Sequence, residues 1–122
     1  MEKELFDYVS ERVDILAVAD TSTQITKDAA TAWKDAVSAD SSDAAVDEAT
    51  TKLLDVLEGR PTTIDGVIAF LQGPAIELFG EDAAAQGLAE QEKRKAEGAK
   101  WCNCEACAAA SEILAKFGRV EL

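Results

Sequence analysis

The sequence predicts an all-α fold, a compact bundle of about six or seven short helices. Three observations predict it. Apolar residues recur at spacings of three and four along most of the chain, as one face of a helix requires. No run sustains the period-two alternation of a half-buried strand. Glycine, proline and Ser/Thr clusters divide the chain at intervals that suit helices of ordinary length. Alanine supplies 23 of the 122 residues, so large apolar side chains are scarce and the core must come from helices that approach closely.

The first helix covers Glu2 to about Ala19, with Leu5, Phe6, Val9, Val13 and Leu16 facing inward. The polar run Asp20-Thr21-Ser22-Thr23 ends it. Thr26 is the expected cap of a second helix, whose stripe is Ala29, Ala30, Trp33 and Val37, with Trp33 as a core anchor. Ser41 or Ser42 opens a third helix that buries Val46, Ala49, Leu53, Leu54 and Leu57 and stops at Gly59 and Pro61. Thr62-Thr63-Ile64-Asp65 has capping-box spacing and leads into Val67, Ile68, Phe70 and Leu71. Gly73-Pro74 restarts the chain as a short helix through Ile76, Leu78 and Phe79, ended by Gly80. Residues 64–79 are therefore expected to be the most buried part. Glu81 to Glu97 reads as an exposed helix, with Leu88 its one large apolar residue and Gly98 its stop. The last helix runs from Ala106 to Phe117, anchored by Ile113, Leu114 and Phe117 and closed by Gly118. The length fits one domain spanning 1–122.

Charge narrows the partners. With 24 acidic and 12 basic residues, the net charge is −12, and phosphate backbones would repel such a surface, so no nucleic acid is expected. The first 58 residues hold 14 of the acids and 5 of the bases, which leaves the second half the less repulsive to an anion. No stretch has the length of a membrane span, and Met1-Glu2-Lys3-Glu4 lacks the order of a signal peptide, so the expected setting is the cytoplasm. A homodimer joined through the apolar helices of residues 64–79 is one expected assembly.

The chemistry of the chain concentrates in Lys100-Trp101-Cys102-Asn103-Cys104-Glu105-Ala106-Cys107, a C-x-C-x-x-C cluster running into the last helix. Two short intervals let one turn of backbone aim three sulfurs at a common point. A helix start at this place offers free N–H groups and the positive end of the dipole, both of which favour thiolate. Lys93, Arg94, Lys95 and Lys100 would add positive charge if the preceding helix folds back over the cluster. Three thiolates form a soft donor set suited to zinc, to copper(I) or to an iron–sulfur cluster, with Cys102, Cys104 and Cys107 as the ligands. Zinc leads. A structural zinc normally takes four donors, and the chain has no fourth cysteine and no histidine. Glu105, Glu97 and Asp65 are candidates for the fourth position by residue type.

Two other readings stay open. Cys104 and Cys107 have the spacing of a dithiol redox or thiol-sensing motif, though without the strand that precedes such motifs in α/β folds. Alternatively the three cysteines are small apolar residues packing a turn, in a purely structural or interaction domain. No enzyme is expected. Without histidine there is no Ser–His or Cys–His pair, and Gly59-Arg60-Pro61-Thr62-Thr63 lacks the ending of a phosphate-binding loop. Trp101, beside the first thiol, suits a cover that excludes water.

The segments Ile64-Asp65-Gly66-Val67-Ile68-Ala69-Phe70 and Gly98-Ala99-Lys100-Trp101-Cys102-Asn103-Cys104-Glu105-Ala106-Cys107-Ala108 resemble a group of small bacterial proteins of about this length. That group carries an aromatic residue before a C-x-C-x-A-C motif and an alanine-rich helix, and some members bear an automatic heat-shock or chaperone label. Residues 60–117 carry the likeness, whereas residues 1–58 share mainly length and helical pattern. The resemblance implies a family of unknown function whose signature is the cysteine cluster. With 122 residues and no nucleotide-binding loop, the chain is not expected to act as an ATP-driven chaperone, and the label carries little weight.

Overall fold

The computed structural model describes residues 1–38 and 40–122. Seven helices follow one another: α1 (Lys3–Val18), α2 (Gln24–Ala36), α3 (Asp43–Leu57), α4 (Ile64–Leu71), α5 (Pro74–Phe79), α6 (Glu81–Ala96) and α7 (Glu105–Lys116). Among the described residues the only extended pairing is a single antiparallel bridge, Thr63 with Trp101. The all-α prediction holds. No described helix is long and apolar enough to cross a membrane.

Local chemistry sets the ends of these helices. Thr23, Ser42 and Thr63 cap α2, α3 and α4, each hydroxyl accepting from the backbone N–H three residues on, at 3.2, 3.2 and 3.0 Å. The cap of α2 is thus Thr23 rather than the expected Thr26, which lies inside the helix and is buried. Both threonines offer the same hydroxyl, and Thr23 lies one turn nearer the chain reversal that α1 imposes. At the other ends, α6 and α7 close in the same way. Gly98 N–H donates to Lys95 O and Ala99 N–H to Arg94 O; Gly118 N–H donates to Ala115 O and Arg119 N–H to Leu114 O. The paired bonds need a left-handed residue, and the glycines supply it at φ +96° and +74°.

The chain forms two compact units, residues 1–61 with 103–121, and residues 62–102 with Leu122. In the first, α1, α2, α3 and α7 pack around Val9, Val13, Leu16, Ala30, Trp33, Leu53, Leu57, Ile113 and Leu114, all buried. Alanine is what lets them approach: Ala49, Ala106, Ala109 and Ala110 occupy contact positions that larger residues would force apart. Trp33 fills the α2–α3 contact, stacks 5.5 Å from Phe6, and donates Nε1–H to Thr50 Oγ1 at 3.0 Å. Thr50 passes the bond on to Val46 O at 2.7 Å. Trp33→Phe therefore leaves a small void and one lost bond, and thermal melting should show a loss of about 1–2 kcal/mol. Arg119, just past α7, donates to Glu58 at 2.8 Å and Asp55 at 3.2 Å on α3, which fixes the end of the last helix.

The second unit holds α4, α5 and α6. Here the expectation that residues 64–79 are the most buried part fails. Ile64 and Ala75 are buried, but Phe70, Ile76, Leu78 and Phe79 are 38–67% exposed. Helices of eight and six residues are too short to enclose their own apolar faces, and their partner α6 offers mostly Ala, Glu, Gln and Lys. The core is instead where the longer amphipathic helices α1, α3 and α7 meet.

Candidate metal centre

The cysteine segment begins where the second unit ends. Cys102 N–H donates to Thr62 O at 2.8 Å, and Ile64 N–H donates to Lys100 O at 2.9 Å, so the backbones of Trp101 and Thr63 form a bridge pair. From α6, Arg94 donates to the Trp101 carbonyl at 2.9 Å and to Gln91 Oε1 at 2.7 Å. Two backbone hydrogen bonds and one guanidinium therefore hold the chain at Lys100–Cys102, and Cys102 is buried. Of the cations expected near the cluster, Arg94 reaches the Trp101 carbonyl, one residue before Cys102. Lys95 instead pairs with Asp65 at 2.6 Å.

Beyond Asn103 the chain enters α7, whose start is built around sulfur. Cys104 is the N-cap residue, with extended φ and ψ of −62° and 159°. Its Sγ accepts from Cys107 N–H at 3.4 Å, the place a serine or aspartate oxygen takes in most helices. Its carbonyl accepts from Ala108 N–H at 2.8 Å. The remaining inward N–H, that of Ala106, donates to Thr21 Oγ1 at 3.1 Å. Thr21 lies 85 residues earlier, in the turn between α1 and α2. The helix thus begins one residue earlier than expected, at Glu105. Cysteine as the cap is the reason.

Thr21 was invisible to pattern reading except as part of a polar run, because nothing local ties that turn to α7. Its substitution is informative. Thr21→Val should leave the Ala106 N–H unpaired, cost about 1 kcal/mol in thermal unfolding, and loosen the Cys104–Cys107 turn, whereas Thr21→Ser should restore both.

Cys102, Cys104 and Cys107 form no disulfide, and their sulfurs lie within 4.8 Å of one another. This closeness is a property of one continuous stretch of six residues. Tetrahedral zinc with bonds near 2.3 Å sets its sulfurs about 3.8 Å apart, a separation the 4.8 Å limit of this group allows. Cys104 and Cys107 are half-buried, whereas Cys102 is buried. No carboxylate joins the group among the described residues. Glu105, Glu97 and Asp65, the residues expected by type to supply a fourth donor, are not members of it, and Asp65 is held by Lys95. Glu105 points its backbone into the first turn of α7 but is exposed, and Glu97 is exposed at the end of α6. The arrangement is therefore a sulfur-only, three-donor group, compatible with a soft metal.

No family model, curated protein or solved structure matches this chain. The chemistry of the site rests on its own geometry.

Proposed function

We propose that this chain is a non-enzymatic metal-binding protein of the cytoplasm that holds zinc through Cys102, Cys104 and Cys107, for a structural or metal-handling role. The observation that carries the reading is the convergence of three sulfurs within 4.8 Å, with no carboxylate in the group among the described residues. Zinc suits it because the ion is redox-inert, accepts thiolate readily, and tolerates a water in the remaining position. The backbone around the ligands supports the same reading. Cys102 N–H donates to Thr62 O, and Cys104 caps α7, so each of these two donors is held within its own unit. The acidic surface favours a cation as ligand and disfavours nucleic acid as partner.

One observation favours a second reading. Cys104 Sγ faces the N–H of Cys107 at the start of a twelve-residue helix, a setting that promotes thiol–disulfide exchange between these two residues.

Elemental mass spectrometry on anaerobically purified protein separates the two. Equimolar zinc that disappears when all three cysteines become serine is the expected result. Metal-free protein that cycles between dithiol and disulfide, with Cys102 dispensable, would replace the zinc reading with the redox one.

A further inference from the structure

The donor set has a property that zinc does not use. It offers three sulfurs and, among the described residues, no fourth ligand: no carboxylate joins the group, and the chain contains no histidine. A divalent ion that prefers four donors must take the last from solvent. A trivalent main-group ion with a lone pair, such as arsenic(III) or antimony(III), needs only three, arranged as a pyramid with all its donors on one side. Cys102, Cys104 and Cys107 bring three sulfurs within 4.8 Å of one another on one short stretch of chain, the number of donors such an ion needs.

Charge points the same way. Three thiolates leave a net charge of −1 on zinc(II) and −2 on copper(I), but none on arsenic(III). In a chain that already carries −12, a neutral product avoids adding to the self-repulsion of the folded state. Access is also suitable. Arsenous acid is small and uncharged, and Cys104 and Cys107 are half-buried rather than buried, with Asn103 and Glu105 beside them exposed.

We infer that Cys102, Cys104 and Cys107 form a capture site for trivalent arsenic or antimony. For arsenous acid, three As–O bonds break and three As–S bonds form. Each thiol proton leaves with a hydroxyl group as water, so one arsenous acid and three thiols give one tris-thiolate and three waters. Arsenic and sulfur keep their oxidation states, and no further reactant is required. The inference uses the same three cysteines as the zinc reading but stands independently of it, because it requires three donors rather than four.

The test adds arsenite to the fully reduced, metal-free full-length protein. Intact-mass measurement under non-denaturing conditions should show one arsenic per chain with the loss of three hydrogens. Titration with a thiol reagent should find all three cysteines protected, and near-ultraviolet absorption from sulfur-to-arsenic charge transfer should appear. Each of Cys102→Ser, Cys104→Ser and Cys107→Ser should weaken capture by about 100-fold, the loss expected when one linked donor is removed. Serine at 104 keeps an oxygen for the helix cap, and circular dichroism on each variant separates lost ligation from lost folding.

An adduct that leaves one thiol titratable overturns the inference, because it shows capture by a vicinal pair. So does equal arsenite affinity in any one of the three variants. A zinc titration run in parallel keeps the two readings apart. Three-thiol capture of arsenite without zinc binding retains this inference and removes the zinc proposal. Zinc binding with two-thiol arsenite capture does the reverse.

Discussion

Cys104→Ser should leave the fold almost unchanged and yet lower zinc affinity by about 100-fold. The two effects separate because Cys104 does two jobs. Its sulfur caps α7 by accepting from Cys107 N–H, and serine performs that role at least as well. Its sulfur is also one of three soft donors, and a serine hydroxyl is neither soft nor deprotonated at neutral pH. Full thiolate sites hold zinc with roughly 10–16 kcal/mol, so each ligand of four is worth about 3 kcal/mol, or about 100-fold. Cys104→Ala removes both functions and should add a loss of about 1 kcal/mol in unfolding. The check is a competition titration against a zinc chelator together with thermal melting of both variants. Equal zinc affinity in Cys104→Ser and the parent would remove Cys104 from the site.

Leu114→Ala should lower stability by about 3–4 kcal/mol, the largest single loss expected in the chain. Leu114 is fully buried where α7 meets the other helices of its unit, and its carbonyl closes the final turn of α7 through Arg119 N–H. Truncation loses the transfer energy of the removed carbons and leaves a cavity among α-helices already packed at alanine contacts. For a domain of this size the midpoint should fall by on the order of 10 °C. Because α7 and its N-cap together carry two of the three sulfurs, zinc should recover part of that loss by binding the folded form alone. Chemical denaturation with and without zinc measures both quantities.

Much of this was legible in the sequence because the signals are local. Helix α3 is marked at both ends, by Ser42 and by Gly59-Arg60-Pro61, and its five expected inward residues are all buried. Gly98 and Gly118 stop α6 and α7 where a left-handed residue is required. The cysteine spacing alone predicted that three sulfurs would meet. What failed depends on partners that no local pattern names. Phe70, Leu78 and Phe79 look like core residues by type, yet burial requires a neighbouring apolar face, and α6 is too polar to provide one. Thr23 and Thr26 are equivalent caps until the path of α1 decides between them. Thr21 reaches the start of α7 across 85 residues, a contact that only the folded chain creates. The fourth-ligand candidates failed for the same reason. Glu97 and Asp65 were chosen for chemistry, but placement decides coordination, and Asp65 faces Lys95.

The central claim is that Cys102, Cys104 and Cys107 act together as one soft-metal site. X-ray absorption at the zinc edge of the zinc-loaded protein tests it most directly, since the method counts sulfur neighbours and measures their distance. The account predicts three sulfurs at about 2.3 Å and one lighter oxygen donor. A shell made only of oxygen and nitrogen would contradict it.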